Sequence, residues 1–161
     1  MKKTNYLELR HFSNEHMDIL NSFELPKEQV QFTSLPSNYK EVTDGQYRIV
    51  ILSDGEPVGF FLLHSTERVK EYSENPQAML LTSLSINKAK QGQGYAKQAM
   101  LLLRKFAADE FPDCNEIVLA VNHKNIAAQK LYGKVGFQDT GRRKMGPIGE
   151  QYIMNLIFPA D

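Results

Sequence analysis

Two glycines in the stretch "KAKQGQGYAKQAM" (residues 88–100) stand directly before a segment with the residue pattern of a helix. Gly92 and Gly94 permit a tight turn and allow a ligand to approach the main chain closely. The first turn of a helix leaves N–H groups unpaired, and these carry the positive end of the helix dipole. The stretch therefore indicates a phosphate-binding loop, with a plain strand-to-helix connection as the alternative.

Glycine spacing separates the kinds of phosphate-binding loop that this stretch could form. The P-loop pattern G-x-x-x-x-G-K-[ST] does not occur in the sequence. The dinucleotide fingerprint G-x-G-x-x-G fails because Lys97 stands where the third glycine belongs. A third pattern, Q/R-x-x-G-x-G/A, is satisfied by Gln91, Gly94 and Ala96.

A second motif follows downstream in "NHKNIAAQKLYGKVGF" (residues 122–137). It fits the pattern N-x-x-A-x-x-L-Y-x-x-x-G-F at Asn125, Ala128, Leu131, Tyr132, Gly136 and Phe137. With both motifs in this order, the chain resembles the GCN5-related N-acetyltransferase (GNAT) superfamily, whose members bind acetyl-coenzyme A. The resemblance is most specific over residues 80–137.

The resemblance implies a role for each motif residue. The main-chain N–H groups of the loop would cradle the pyrophosphate of acetyl-CoA, and the pantetheine arm would lie along the preceding strand. A bulge near Ser83 to Ser85 would aim an N–H group at the thioester carbonyl. Tyr132 would be the catalytic general acid that protonates the leaving thiolate. The implied coenzyme-binding residues are Leu84, Ser85, Ile86, Gln91, Gly92, Gln93, Gly94, Tyr95, Ala96 and Asn125.

The general base is where the chain departs from the family pattern. Many relatives carry Glu or Asp on the strand before the loop, but here that strand reads "LLTSLSIN" and has no carboxylate. A base or water relay is useful because an alkylammonium of pKa about 10.4 must lose a proton, at a cost of about 4–5 kcal/mol at pH 7. The candidates left open are His64, Glu67, Glu24, Glu28 and a water chain held by Thr82, Ser83 and Ser85.

The elements that must position these residues follow from hydrophobic periodicity. Strands are predicted for "NYLELRHF", "AMLLTSLSIN" and "EIVLAVN", and a hairpin turns at Asp54-Gly55. Helices are predicted within "SNEHMDILNSFEL", from Gly94 to about Phe111, and from an Asn125 cap to Gly136. "TERVKEYSENPQ" is interpreted as a solvated loop, and two strands close the chain.

This order predicts an α/β (α+β) fold in which a mixed, mostly antiparallel sheet of about seven strands carries helices on both faces. A single acetyltransferase domain over residues 1–161 follows from the length and the resemblance. Residues 10–45 are expected to form a variable substrate-side segment, and residues 80–137 the acetyl-CoA-binding core.

Composition restricts the partners and the compartment. The formal net charge is zero, which gives no reason to expect a nucleic acid or a membrane surface as partner. Cys114 is the single cysteine, and the start "MKKTNYLELR" lacks the apolar run of a signal peptide, so we expect a cytoplasmic protein. The four histidines are scattered, so no metal is expected. A homodimer is possible.

The expected function is transfer of the acetyl group of acetyl-CoA to a primary amine by direct attack on the thioester. The alternative is a non-catalytic acyl-CoA-binding or sensor domain on the same fold. The acceptor amine is a polyamine, an amino acid, an aminoglycoside or a peptide amine. Acidic residues of the variable segment slightly favour a polyamine, namely Glu24, Glu28, Glu41 and Asp44.

Overall fold

A single seven-stranded sheet forms the centre of the computed structural model, which describes residues 6–158. The strands lie in the order β1-β2-β3-β4-β5-β7-β6. Among these strands only β4 and β5 pair in parallel, and the other five pairs are antiparallel. Their bounds are β1 Leu7–His11, β2 Gln46–Ser53, β3 Glu56–His64, β4 Ala78–Ile86, β5 Glu116–Asn122, β6 Gln138–Gly146 and β7 Gly149–Ile157.

Three α-helices cover the sheet on both faces, as the sequence predicts. They are α1 (Met17–Asn21), α2 (Tyr95–Glu110) and α3 (Ile126–Lys134). α2 and α3 pack on one face, where they bury apolar residues against the inner positions of β2 to β5. α1 packs on the opposite face, where Leu20 joins a separate apolar cluster. The predicted fold class, a mixed and mostly antiparallel sheet between helices, is confirmed.

The long helix α2 is held by a single apolar stripe. Tyr95, Ala99, Leu103 and Ala107 are buried at intervals of four residues, and the buried Met100 lies beside them, so all five share one helix face. The stripe fixes the direction of α2, and therefore fixes where its N-terminus points. The predicted limits, from Gly94 to about Phe111, agree with the observed helix.

The turn between β2 and β3 agrees with its prediction. Asp54 and Gly55 have φ angles of 50° and 84°, the left-handed backbone that a two-residue turn of this hand requires. The hairpin brings β3 beside β4, so it supports the strand that carries the predicted coenzyme contacts.

One predicted helix is shorter than its segment, and one predicted loop is wrong. The helix predicted within "SNEHMDILNSFEL" is present as a 3-10 turn (Asn14–His16) followed by one turn of α-helix, which ends where the Ser22 hydroxyl donates to the Ile19 carbonyl at 2.6 Å. The segment "TERVKEYSENPQ" is not a solvated loop. It contains a 3-10 helix (Glu67–Glu71) that buries Val69 and Tyr72 against the sheet while its charged residues stay exposed.

No helix within residues 6–158 combines the length and the apolar character needed to cross a bilayer.

Candidate functional site

The site is a cleft that opens where two parallel strands separate. β4 and β5 pair only over three residues each, Ala78–Leu80 with Glu116–Val118. Beyond this point β4 continues beside β3, and β5 continues beside β7, so the sheet splits between them. The cleft has a volume of about 1180 Å³ and is lined by both diverging strands and by the N-terminal ends of α2 and α3. A cleft of this size accommodates a large extended ligand.

A bulge in β4 reshapes the wall of the cleft. Ser83 and Leu84 together lie opposite the single residue Phe61 of β3. Ser83 has a φ of 60°, which is unfavourable for a residue with a Cβ by about 1 kcal/mol. The Tyr39 hydroxyl holds this conformation through a 2.9 Å hydrogen bond to the Ser83 hydroxyl. The bulge that the sequence predicts near Ser83 to Ser85 is therefore confirmed.

The glycine loop presents unpaired N–H groups to the cleft. Gly92 and Gly94 have φ angles of 80° and 79°, and α2 begins directly after them. Within residues 6–158, no hydrogen bond accepts the main-chain N–H of Gly92, Gln93, Gly94 or Ala96. A Cβ at Gly92 would meet no atom within 4 Å, so the chain itself requires glycine there for its backbone angle. These N–H groups and the positive end of a 16-residue helix are suited to an anionic ligand.

Lysines add positive charge at the same end of the cleft. Lys90, Lys97 and Lys124 line it. Lys90 lies 3.6 Å from Glu56, whereas Lys97 and Lys124 make no ion pair within the described part of the chain. The combination of unpaired N–H groups and ammonium groups favours a polyanionic ligand.

Tyr132 is brought into the cleft by a short, well-capped helix. The Asn125 side chain accepts a hydrogen bond from the Ala128 N–H at 3.2 Å, and Gly136 with φ 107° follows the helix end, as the sequence predicts. The Tyr132 ring is buried and lies edge-on to Phe137, with 5.4 Å between ring centroids. Its hydroxyl makes no hydrogen bond to any residue in the range 6–158. Burial raises the pKa of Tyr132 well above the ordinary tyrosine value, so the hydroxyl remains a proton donor.

The cleft unites nearly all of the residues that the sequence singles out. Gln93 is the exception, because it does not line the cleft and its side-chain oxygen accepts a 3.1 Å hydrogen bond from the Tyr95 hydroxyl. The predicted residues that line the cleft are Leu84, Ser85, Ile86, Gln91, Gly92, Gly94, Tyr95, Ala96, Asn125 and Tyr132.

Residues 24–39 belong to the predicted variable substrate-side segment, but their contacts were not predicted from the sequence. We call these residues the strap, because hydrogen bonds tie them to the glycine loop and to the bulge of β4. Gln29 and Gln91 exchange two amide hydrogen bonds of 3.2 and 3.1 Å. The Thr33 hydroxyl donates to the Leu84 carbonyl at 2.9 Å. The strap is therefore bonded to the glycine loop and to the bulge at once.

No sequence pattern predicts these contacts of the strap. The strap contains two short 3-10 turns, Lys27–Gln29 and Pro36–Tyr39, and no regular hydrophobic period. The one available signal is the set of polar residues between its two prolines, and such residues are common in loops.

The structure separates the candidates for the general base. Glu28 lines the cleft, whereas Glu24, Glu67 and His64 do not. His64 is 1% exposed, and its Nε2 lies 2.7 Å from the Thr82 hydroxyl, which does line the cleft. Burial, and to a smaller extent the charge of Arg68, lowers the pKa of His64 to about 4. His64 is therefore neutral near pH 7 and positions Thr82.

Most of the carboxylates that slightly favoured a polyamine lie outside the cleft. Glu24, Glu41 and Asp44 do not line the cleft, and only Glu28 does. No group of three or more His, Cys, Asp or Glu side chains suited to a metal ion occurs in residues 6–158.

Comparisons with known proteins identify the family that this chain resembles. The sequence model of the acetyltransferase (GNAT) family matches residues 13–137. The chain is 49% identical over 156 residues to the uncharacterized N-acetyltransferase YbbJ of Bacillus subtilis (strain 168), covering 94% of this chain and 98% of that protein. It is 30% identical over 112 residues to the peptidyl-lysine N-acetyltransferase YjaB of Salmonella typhimurium, covering 69% of this chain and 63% of that protein.

A solved structure shares the fold at low sequence identity. The structure of AAC(6')-Ib in complex with paromomycin and acetyl-CoA superposes with a TM-score of 0.73 at 17% identity. The match covers 94% of this chain and 93% of that chain. At this identity the similarity establishes a common fold.

Proposed function

The chain belongs to the acetyltransferase (GNAT) family and is an N-acetyltransferase, and on this premise we propose that it transfers the acetyl group of acetyl-CoA to a primary amine by direct attack on the thioester. One observation carries the proposal. A single cleft joins a cluster of main-chain N–H groups, suited to a pyrophosphate, to the Tyr132 hydroxyl, suited to protonate a leaving group, and neither has a hydrogen-bond partner among residues 6–158.

The coenzyme would lie along the wall formed by β4 and the glycine loop. The N–H groups of Gly92 to Ala96 would hold the pyrophosphate, with Lys97 and Lys124 as counter-charges. The pantetheine arm would pair with β4 at Leu84 to Ile86, as an added strand in the gap left by β5. Asn125 lies beside the same wall and would contact the arm, in addition to capping α3.

The amine must reach the thioester uncharged. Deprotonating an alkylammonium of pKa about 10.4 costs about 4–5 kcal/mol at pH 7. We propose that the proton leaves through water held by the hydroxyls of Thr82, Ser83 and Ser85, because all three line the cleft. The Ser85 Oγ is buried and has no hydrogen-bond partner in the described chain, which suits a water contact. The hydrogen bond between His64 and Thr82 holds the Thr82 hydroxyl in place.

Collapse of the tetrahedral intermediate expels the coenzyme as a thiolate. The C–N bond has already formed in the attack, and at collapse the C–S bond breaks and the thiolate takes a proton from the Tyr132 hydroxyl. The proton that the nitrogen loses passes through water to restore the Tyr132 hydroxyl. The bulge at Ser83 and Leu84 would place a main-chain N–H at the carbonyl oxygen, where negative charge develops. Each of these roles belongs to a group that lines the cleft.

The acceptor is proposed as a primary amine because two of the comparison proteins act on or bind molecules that carry amino groups. One is a peptidyl-lysine N-acetyltransferase, and the other is a structure with an aminoglycoside. Polyamines and amino acids also remain within this class. We further propose a cytoplasmic location, since the lone Cys114 is buried and needs no oxidising compartment.

A thiol-release assay tests the proposal. The protein is incubated with acetyl-CoA and a panel of amino acids, lysine peptides, polyamines and aminoglycosides, and free coenzyme A is measured. We expect release with one amine class and a matching mass gain of one acetyl group on the amine. Binding of acetyl-CoA without release from any amine would favour the acyl-CoA-binding or sensor alternative instead.

A further inference from the structure

Charge on the short 3-10 helix Glu67–Glu71 is paired at every position but one. Lys70 lies 2.9 Å from Glu67, and Lys144 lies 3.1 Å from Glu71. Arg68 makes no ion pair and no hydrogen bond with any residue in the range 6–158. The other three charged residues of this helix are therefore paired, one of them with β6, and the Arg68 guanidinium is left available.

Arg68 lines the cleft, whereas Lys70 does not. The backbone position of Arg68 is fixed because its neighbours Val69 and Tyr72 are buried against β4 and β5. The charge of Arg68 acts on His64, which bonds Thr82, so the guanidinium lies near the proposed path of the amine proton.

Among the described residues that line the cleft, charge is distributed unevenly between its two ends. Three of the four cationic residues, Lys90, Lys97 and Lys124, belong to the end with the glycine loop and α3. The opposite end has one cation, Arg68, which makes no ion pair within residues 6–158. Glu28, the carboxylate that lines the cleft, directly precedes Gln29, whose amide bonds Gln91 of the glycine loop, so it does not neutralise Arg68. A polyamine or an aminoglycoside would meet an unpaired guanidinium at the Arg68 end, whereas an amine that also carries a carboxylate would bring a partner for it.

We propose that the acceptor is a primary amine that carries a carboxylate, and that Arg68 binds this carboxylate and so directs the amine toward the thioester. This inference rests on the proposed acetyl transfer. A guanidinium forms two parallel hydrogen bonds with a carboxylate, which sets orientation as well as affinity. The carboxylate belongs either to a free amino acid or to an acidic residue beside a lysine in a peptide.

The test uses acceptors that differ only in the carboxylate. One series consists of ω-amino acids with three to six carbon atoms and their ω-amino amides; the other consists of lysine peptides flanked by Asp or by Asn. Initial rates of thiol release give kcat/KM for each pair. We expect the carboxylate member of at least one series to be favoured by about 10- to 100-fold, the range of a hydrogen-bonded charge pair. The series that shows the preference identifies the source of the carboxylate.

Substitutions within the 3-10 helix Glu67–Glu71 test whether Arg68 causes this preference. Arg68→Gln is expected to abolish it by raising KM for the carboxylate acceptor, with KM for the amide acceptor and the Kd of acetyl-CoA unchanged. Arg68→Lys is expected to retain part of it, because an ammonium is a point charge without the paired geometry. Lys70→Gln removes the same charge from the same turn at a position outside the cleft, and should leave the preference intact.

Two results would overturn the inference and have different consequences. If amines release thiol but a carboxylate gives no advantage, or Arg68→Gln keeps the advantage, the role of Arg68 is wrong while acetyl transfer stands. If no amine releases thiol, acetyl transfer itself fails, and the role of Arg68 fails with it.

Discussion

The two ends of the cleft present different kinds of chemical group. The end proposed for the coenzyme, called the coenzyme end below, presents main-chain groups at the tips of regular elements, namely the bulge of β4, the first turn of α2 and the capped start of α3. The part proposed for the acceptor, called the acceptor end, presents side chains on the strap and on the 3-10 helix Glu67–Glu71, which have no long element to fix them. Main-chain geometry changes little when side chains change, so the first end suits a constant ligand and the second a chain-specific one.

The largest effect is expected from Tyr132→Phe. This change removes only the hydroxyl, and the ring keeps its contact with Phe137. We expect kcat to fall by about 10²- to 10⁴-fold, the usual contribution of a general acid, while the Kd of acetyl-CoA stays the same. Steady-state kinetics and calorimetric titration measure the two quantities. A large loss of acetyl-CoA affinity would mean that Tyr132 belongs to the binding surface rather than to the chemistry.

The next effect concerns His64, the buried histidine that contacts Thr82. Because the pKa of His64 is about 4 in the folded chain and about 6.5 when unfolded, the unfolded chain binds more protons between these values. The free energy of unfolding therefore falls as the pH drops from about 6.5 to 4, by roughly 3 kcal/mol from this residue.

Urea denaturation at several pH values tests the His64 effect. The difference in free energy of unfolding between the parent protein and His64→Gln isolates the contribution of this side chain from other groups that titrate in acid. We expect this difference to shrink or reverse toward pH 4. A difference that stays constant across the range would show that His64 titrates normally.

At the coenzyme end, Gly94→Ala tests whether backbone conformation presents the N–H groups. A Cβ at Gly94 has space, with its nearest contact 3.6 Å away, but the φ of 79° is strained for alanine by about 1–2 kcal/mol. We expect about tenfold weaker acetyl-CoA binding, measured by calorimetry. The control is Gly133→Ala, which lies inside α3 without a positive φ and with nothing within 4 Å, and should bind normally and gain stability.

The smallest effect is expected where the two ends meet. Thr33→Val keeps the shape of the side chain but removes the hydroxyl that donates to the Leu84 carbonyl. Because the pantetheine arm is proposed to use Leu84, we expect acetyl-CoA to bind a few-fold tighter, within the range of about 0.5–1.5 kcal/mol for one hydrogen bond. Weaker binding would show instead that the strap helps to hold the coenzyme.

The sequence predicted the backbone geometry around the glycine loop and the start of α3 for a physical reason. Gly92, Gly94 and Asn125 each satisfy a local backbone requirement, so their types and spacing report the geometry directly. The bulge at Ser83 and the caps of α2 and α3 agree with what the sequence predicts.

The strap and the 3-10 helix Glu67–Glu71 could not be predicted in the same way. Arg68 and Gln29 acquire their positions from tertiary contacts, through the burial of Val69 in one case and the amide pair with Gln91 in the other. Neither contact leaves a periodic pattern. The interpretation of residues 66–77 as a solvated loop was wrong because five of those residues carry charge, which hid the buried face formed by Val69 and Tyr72.

Calorimetric titration of the protein with acetyl-CoA is the measurement that tests the central claim most directly. The account requires saturable binding at one site per chain. It also requires that Gly94→Glu, which places a carboxylate among the unpaired N–H groups, abolishes this binding without unfolding the protein, as followed by circular dichroism. Absence of binding to the parent protein, or undiminished binding to a folded Gly94→Glu variant, would contradict the assignment of the cleft to the coenzyme.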